Sequence, residues 1–285
     1  MERFCDLHIH STFSDGTCPP AELIALAEEA GLAAVALCDH NTVAGLPDFV
    51  AAAQGREVEA VPGIEFSTDY DGTELHILAL FVEPEYYGEI TDLLADADRR
   101  KEESNVALAA ALNRAGYVFD YAAVKAATPK GHINRAHIAA ELTRLGYTES
   151  VQAAFKTLLS PEHGYYDPPK RMDAHDAIRY IKSIGAVAVL AHPFLSMDEA
   201  MLRAFLPEAV RCGLDGMETM YAKYSAETTC LATQIAEEFD LCHSGGSDFH
   251  GQNKPDILIG VGRGELRVPE SWLEALRKRA KKRKK

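Results

Sequence analysis

Two histidines separated by one residue, His8 and His10, end the first apolar run of the chain, and Asp15 follows in the next loop. Imidazole nitrogens and carboxylate oxygens are good ligands for divalent ions such as zinc, manganese and iron(II). A single pair of this kind is more often structural than functional. Whether these residues form a metal site therefore depends on what the other strands bring to the same place.

Histidines and carboxylates recur at the ends of other strand-like segments. His40 ends a second apolar run, His192 ends a later one, and Glu65 lies inside another. A carboxylate is costly to bury unless it is paired or binds a metal. The predicted ligands are His8, His10, Asp15, His40, Glu65, His76, His192, Asp248 and His250. Nine candidates are too many for one ion, so the sequence predicts two or three divalent ions, with Mn²⁺ preferred and Zn²⁺ or Fe²⁺ as alternatives.

Alternating strand-like and helix-like segments supply the scaffold for these side chains. Helix boundaries are marked by Pro19 and Gly31 around one helix, and by Asp173 and Gly185 around another. Apolar runs typical of strands buried on both faces lie at 4–9, 33–38, 60–66, 75–82, 186–191, 216–221 and 241–244. The alternation predicts an α/β fold of βα units around a parallel sheet, either a closed barrel or an open doubly wound sheet. In a barrel the carboxyl ends of the strands converge, which would bring the nine side chains together.

Residues 98–167 interrupt the alternation and are predicted to be a helical insertion between the fourth and fifth strands. The expected helices lie at 99–115, 121–126, 135–145 and 149–159. The chain would then consist of a catalytic barrel, residues 1–97 and 168–285, and a substrate-capping subdomain, residues 98–167.

One helix start within the insertion is a candidate phosphate site. Asn134 is a predicted N-cap, which puts Arg135 and His137 in the first turn of the next helix. Free backbone N–H groups at a helix start favour phosphate, and a guanidinium can add a bidentate contact. Lys170, just after the insertion, is a further candidate for the same phosphate.

The composition limits the partners of the chain. The net charge of -14 argues against a broad nucleic-acid-binding surface, although eight of the last nine residues are basic. Bound divalent ions would nevertheless attract a phosphate locally. The sequence contains no apolar run long enough for a membrane span and no signal-peptide pattern, and its six cysteines form no CxxC pair. A cytoplasmic protein with free thiols is expected.

The order of the candidate ligands resembles the PHP (polymerase and histidinol phosphatase) phosphoesterases. The matching motifs are HxH, Asp15, "DH" at 39–40, Glu65, His76, "AHP" at 191–193 and "SDFH" at 247–250. The resemblance implies a distorted (β/α)7 barrel, a two- or three-metal centre and all nine residues as ligands. The insertion with "GHINRAHIAAEL" is similar to the subfamily that acts on nucleoside 3′,5′-bisphosphates and on the 5′ ends of short RNAs, with NRAH in place of the usual GRPH.

The predicted reaction is release of the 3′-phosphate from a nucleoside 3′,5′-bisphosphate. A hydroxide bridging two ions would attack phosphorus in line, and Asp15 or His192 would relay a proton. Asn134, Arg135, His137 and Lys170 would hold the other phosphate. Three alternatives stay open at this point: a 5′-to-3′ exonuclease on short 5′-phosphorylated oligonucleotides, a histidinol-phosphate-type monoesterase, and a metal-stabilised scaffold without activity.

Overall fold

The computed structural model describes residues 3–128 and 133–283. The strands in these residues are β1 (Phe4–Ile9), β2 (Ala34–Leu37), β3 (Glu59–Tyr70), β4 (Thr73–Leu80), β5 (Met172–Asp173), β6 (Val187–Leu190), β7 (Gly216–Tyr221), β8 (Cys242–Gly246) and β9 (Val268–Pro269). The helices are α1 (Pro20–Glu29), α2 (Leu46–Ala52), α3 (Tyr87–Arg114), α4 (Tyr121–Ala126), α5 (Arg135–Arg144), α6 (Val151–Lys156), α7 (Ala174–Ser183), α8 (Glu199–Cys212), α9 (Ala226–Glu238) and α10 (Glu270–Arg283). All seven predicted strands are present.

The seven long strands and the two-residue strands β5 and β9 form one sheet that curls into a barrel. Its order is β8-β7-β6-β4-β3-β2-β1-β9, with the short β5 beside β3. The barrel closes between β1 and the segment after β8, where the Asp248 N–H donates to His8 O at 2.8 Å and the His10 N–H donates to Phe249 O at 2.9 Å. Gly246 permits this approach, because a Cβ there would lie 2.6 Å from the His8 nitrogen. The distorted (β/α)7 barrel expected from the resemblance is confirmed.

The expectation of a parallel sheet is wrong for β4. This strand runs antiparallel to both of its neighbours, β3 and β6. The reversal is produced by the two residues between β3 and β4, Asp71 and Gly72, which have φ angles of 51° and 79°. A two-residue Asp-Gly connection with both φ angles positive is the favoured tight turn of a β-hairpin. The amino end of β4 therefore lies at the same end of the barrel as the carboxyl ends of the other long strands.

Two hydrophobic layers hold the barrel together, because successive strand residues face opposite sides of the sheet. In β2, Val35 and Leu37 pack outward against the helices, whereas Ala34 and Ala36 face the interior. The interior cluster also includes Leu273 of α10. Helix α10 lies at the amino ends of the strands, since its side chains bond to Glu59 at the start of β3 and to Asp240 just before β8. The opposite end of the barrel is left open for a site.

A separate hydrophobic cluster fills the helical segment between β4 and β5. It contains buried side chains from the second half of α3, from α4 to α6 and from the chain up to Tyr166. The predicted helix at 121–126 matches α4, and those at 135–145 and 149–159 match α5 and α6 with small differences at their ends. Helix α3 begins at Tyr87 rather than at residue 99, so one continuous helix crosses the proposed boundary between barrel and insertion.

None of the helices in the part of the chain that the structure describes combines the length and apolar character needed to cross a bilayer.

Candidate metal centre

The nine predicted ligands meet at the open end of the barrel, and Glu65 lies at their centre. Glu65 Oε1 is 2.8 Å from His76 Nδ1 and 3.1 Å from His192 Nε2. Glu65 Oε2 is 3.0 Å from His40 Nδ1 and 3.3 Å from the Nε2 atoms of both His8 and His10. The carboxylate of Glu65, which lies in β3 and is fully buried, thus contacts five imidazoles from four other segments of the chain.

The two aspartates complete the cluster on the side of His10 and His250. Asp15 Oδ1 lies 3.3 Å from His250 Nε2 and 3.8 Å from His40 Nε2. Asp248 Oδ1 lies 3.2 Å from His10 Nε2 and 3.3 Å from His250 Nδ1. Three sets of side chains have ligand atoms close enough to share an ion: His10 with Asp15, His40 and His250; His8 with His10 and Glu65; and His40 with Glu65 and His76.

Buried atoms without hydrogen bonds show that this arrangement fits metal ions. His10 Nδ1, Asp15 Oδ1, His40 Nδ1 and Glu65 Oε2 are buried and make no hydrogen bond. Most buried polar atoms in proteins have a hydrogen-bond partner, so four exceptions within one cluster need a cause. Convergent lone pairs of imidazole and carboxylate groups are what a divalent ion requires. The donor set therefore fits Mn²⁺, Zn²⁺ or Fe²⁺.

Strained backbone at two positions turns side chains into the cluster. His192 and Asp248 have φ angles of 27° and 55°, values that residues other than glycine rarely adopt. Such conformations cost about 1–3 kcal/mol each and are found mainly where function requires them. The His192 N–H donates to Glu218 Oε2 at 2.7 Å, and the Asp248 N–H donates to His8 O, so both strained residues are held by hydrogen bonds.

Three buried carboxylates that are not among the nine predicted ligands support the cluster. Glu218 in β7 bonds to His8 Nδ1 at 3.0 Å. Asp6 accepts from the backbone N–H and the hydroxyl of Ser247, and Asp39 accepts from the backbone N–H and the hydroxyl of Ser11. Such partners orient metal ligands or the loops that carry them. Asp39 lies just after a strand, as His40 does, and Glu218 lies inside an apolar strand, as Glu65 does. The positions that marked the predicted ligands in the sequence would therefore also have marked these two carboxylates.

The electrostatics of the cluster follow from burial and mutual proximity. Burial alone would raise the pKa of Glu65, but His40, His76 and His8 hold it well below its usual value. Burial would likewise lower the pKa of His76, yet Glu65 and Glu74 raise it to about 10. Burial, with His250 and His40 nearby, lowers the pKa of His10 well below its usual value. The centre thus contains a firmly ionised carboxylate beside a neutral imidazole, both suited to bind a cation.

The candidate phosphate residues of the insertion, Asn134, Arg135 and His137, lie beside this centre. Asn134 is the N-cap of α5, and its N–H donates to His137 Nδ1 at 3.0 Å, while Lys101 donates to the Asn134 side chain. Arg135 donates to Glu74 Oε2 at 3.0 Å. Lys170, by contrast, is exposed on the surface.

Two basic residues that the sequence analysis overlooked also lie at the centre. Arg171 turns inward and donates to Glu74 Oε2 at 2.7 Å. Lys254 donates to Asp248 Oδ2 at 2.6 Å, on the same oxygen that accepts from the Tyr221 hydroxyl. No motif marks either residue, because an isolated arginine or lysine in a loop has no pattern of its own.

Comparisons with known proteins agree with this geometry. The PHP domain matches residues 6–166. A 5′-3′ exoribonuclease of Haemophilus influenzae is 33% identical over 88% of this chain and 91% of its own length. A phosphoribosyl 1,2-cyclic phosphate 1,2-diphosphodiesterase of Eggerthella lenta is 32% identical over 87% of this chain and 94% of its own. A 3′,5′-nucleoside bisphosphate phosphatase of Chromobacterium violaceum is 29% identical over 90% of each chain.

Solved structures extend the likeness over nearly the whole fold. A Bifidobacterium adolescentis protein assigned as a metal-dependent phosphoesterase has a TM-score of 0.85 at 27% identity, covering 97% of this chain and 96% of its own. The match includes the barrel and the helical segment between β4 and β5. The chain therefore belongs to the PHP domain family of metal-dependent phosphoesterases.

Proposed function

We propose that this phosphoesterase binds two or three divalent ions, Mn²⁺ by preference, and removes the 3′-phosphate of nucleoside 3′,5′-bisphosphates. The observation that carries the proposal is the convergence of nine imidazole and carboxylate side chains, four of whose buried atoms make no hydrogen bond, beside a cationic helix start. A relative named as a 3′,5′-nucleoside bisphosphate phosphatase supports this choice of substrate.

The ions would be held by His8, His10, Asp15, His40, Glu65, His76, His192, Asp248 and His250. When bound, divalent ions supply Lewis-acid stabilisation of phosphoryl oxygens and lower the pKa of water. The local positive charge also explains how a chain of net charge -14 would attract a phosphate dianion.

The helix start of α5 would bind the phosphate that does not react. His137 Nδ1 accepts the Asn134 N–H, so neutral His137 carries its proton on Nε2, from which it can donate to a phosphate oxygen. Burial lowers the pKa of His137 and favours this neutral form. Arg135 adds a guanidinium in the first turn of the same helix. Contacts at a distance from the broken bond orient the reacting phosphate.

We propose that Asp15 or His192 relays a proton during the reaction. Both are buried and belong to the cluster, so each would lie close to the reacting phosphate. We assign residues 98–167 to a substrate-capping insertion, because their cluster is separate from the barrel core and α5 faces the metal centre. A cytoplasmic location is supported by six free cysteines.

A second candidate function is 5′-to-3′ exonuclease activity on short 5′-phosphorylated RNA. Relatives from Haemophilus influenzae and Escherichia coli carry the name 5′-3′ exoribonuclease. The same residues would serve, since the phosphodiester that follows a 5′-nucleotide occupies the position of a 3′-phosphate. A histidinol-phosphate-type monoesterase is disfavoured, because its substrate has no second phosphate for α5 to bind.

The test is product analysis with Mn²⁺-loaded enzyme on adenosine 3′,5′-bisphosphate and, separately, on a 5′-phosphorylated RNA trinucleotide. We expect release of inorganic phosphate and adenosine 5′-monophosphate from the first substrate at a higher kcat/KM than for cleavage of the second. EDTA should abolish both reactions, and Mn²⁺ should restore them.

His8→Ala is the inactive control, and His175→Ala, which alters a histidine of α7 outside the cluster, should leave both reactions unchanged. Faster release of mononucleotides from the RNA would make the exonuclease the principal activity. The proposal would be contradicted if His8→Ala kept both activities, or if the unaltered enzyme turned over neither substrate.

A further inference from the structure

Two arginines share one carboxylate oxygen at the edge of the metal centre. Arg135 of α5 and Arg171, just before β5, donate to Oε2 of Glu74 at 3.0 and 2.7 Å. Glu74 lies in β4, two residues before His76, and its other oxygen is 3.5 Å from His76 Nε2. The two guanidiniums are therefore fixed relative to the barrel mouth by a carboxylate that also contacts a predicted metal ligand.

The surroundings restrict both guanidiniums further. Arg135 stacks over the ring of Tyr166 at 4.5 Å and lies 5.4 Å from the ring of Phe155. Tyr166 is itself buried in the hydrophobic cluster of the insertion, so its ring supports Arg135 and is not available to stack on a base. The side chain of Arg171 is only 14% exposed, against 24% for that of Arg135. Ordered cations of this kind lose little entropy when they bind an anion.

Glu74 neutralises only part of this charge. One carboxylate faces two guanidiniums, which leaves a net positive charge, and each arginine has five N–H donors of which Glu74 takes one. Lys101 of α3 adds a third cation, bonded to the side chain of Asn134 at the start of α5. Cations with spare donors beside a metal centre fit a phosphate monoester dianion, whose oxygens accept several charge-assisted hydrogen bonds.

We infer that Arg171, held together with Arg135 by Glu74, is the second cation that binds the non-reacting phosphate of the substrate. The inference rests on the proposed function for the identity of the substrate, and it makes the enzyme selective for esters that carry a second, terminal phosphate monoester. Glu74 acts as a positioning residue that aims both arginines at one point.

Adenosine 5′-monophosphate, the product of the proposed reaction, tests the inference without turnover, because it carries the 5′-phosphate and lacks the 3′-phosphate that the reaction releases. Calorimetric titration of the Mn²⁺-loaded enzyme should show binding that weakens at least tenfold in Arg171→Ala. Binding should be unchanged in Lys278→Ala, at an exposed lysine of α10 on the opposite end of the barrel. The Kd of Arg171→Lys for adenosine 5′-monophosphate should be closer to that of Arg171→Ala than to that of the unaltered enzyme. A planar guanidinium can contact Glu74 and a phosphate at once, whereas an ammonium cannot bridge them in the same way. Full rescue by lysine, or equal Kd values for adenosine 5′-monophosphate and adenosine, would overturn the inference.

Kinetics separate this role from damage to the fold. On adenosine 3′,5′-bisphosphate, Arg171→Ala should raise KM at least tenfold, whereas on adenosine 3′-monophosphate, which lacks the second phosphate, its kcat/KM should match that of the unaltered enzyme. An equal loss on both substrates would mean that Arg171 has only a structural role. If the enzyme turned over neither substrate yet bound adenosine 5′-monophosphate through Arg171, the proposed function would fail while the inference stood.

Discussion

Glu218 determines how one of the central imidazoles presents its nitrogens. Its Oε1 bonds to His8 Nδ1 at 3.0 Å and its Oε2 accepts from the His192 N–H at 2.7 Å, so a single buried carboxylate fixes two members of the cluster. When the proton of the imidazole is held on Nδ1, Nε2 of His8 carries no proton. This nitrogen faces Glu65, and its lone pair is free to bind a cation. Glu218 is not one of the nine predicted ligands, yet it sets the orientation of His8.

Replacing Glu218 by Gln is expected to weaken Mn²⁺ binding by about 10–100-fold, the usual effect of losing a carboxylate that orients a histidine ligand. The shape of the side chain is kept, but the charge that holds the His8 proton is lost. Titration of the apoenzyme with Mn²⁺ measures the change. Glu237→Gln, at an exposed glutamate of α9, should bind Mn²⁺ like the unaltered protein. Unchanged affinity in Glu218→Gln would show that the barrel alone orients His8.

Closure of the barrel depends on a contact between two elements that are far apart in sequence. Strand β8 passes so close to β1 that Gly246 has no room for a side chain against His8. The same approach permits the hydrogen bonds from Asp248 N–H and His10 N–H that join the two segments. Four of the predicted ligands therefore keep their spacing only while β1 and β8 stay in contact: His8, His10, Asp248 and His250.

We expect Gly246→Ala to lower the free energy of unfolding by at least about 2 kcal/mol, because the added methyl group would displace the backbone of β1. It should also reduce the Mn²⁺ content, since His8 lies at the point of collision. Urea denaturation and metal analysis measure the two effects. Gly88→Ala is the matched control: Gly88 lies in α3 with open space around it, and alanine there should be neutral or stabilising by up to about 1 kcal/mol. A Gly246→Ala protein as stable as this control would contradict the close approach.

The elements were largely predictable from sequence, but the direction of β4 was not. Buried strands and helix boundaries produce local patterns, which is why β1 and α4 were predicted with their observed bounds. The direction of β4 depended on a two-residue turn at Asp71 and Gly72 that the alternation of strands and helices obscured. Its reversal explains why His76, near the start of a strand, still reaches the mouth of the barrel.

The cluster of candidate ligands was predictable because histidines and carboxylates at strand ends stand out against apolar runs. All nine predicted ligands meet in one cluster. Glu74 and Arg171 could not be assigned, because the contacts that suggest their roles join residues 61 and 97 positions apart. The role of a charged residue without a local sequence pattern can be assigned only from its tertiary contacts.

Among the described residues, the barrel and the insertion have separate hydrophobic cores, and the long helix α3 joins them. The first half of α3 packs on the barrel through Ile90 and Leu94, and its second half packs in the insertion cluster through Leu108 and Leu112. The inner layer of the barrel forms a further cluster that shares no residue with the insertion. Cores with few shared contacts can open separately, as sub-global units of a folded protein do.

Leu112→Ala should therefore destabilise the insertion and spare the barrel. Leu112 is fully buried, and truncating such a leucine costs about 2–5 kcal/mol. Amide hydrogen exchange should show faster exchange in α4, α5 and α6, with unchanged protection in β1, β2 and β6. Mn²⁺ content should also be unchanged, while KM for adenosine 3′,5′-bisphosphate rises, because α5 carries Arg135 and His137.

Leu206→Ala provides the comparison, since Leu206 of α8 is equally buried but packs in the outer layer of the barrel. It should accelerate exchange in the strands and lower the Mn²⁺ content, the reverse of the pattern expected for Leu112→Ala. If both variants lost protection uniformly over the chain, barrel and insertion would unfold as one cooperative unit. The insertion would then be an extension of the barrel fold, and its helices could not adjust to a substrate independently of the metal centre.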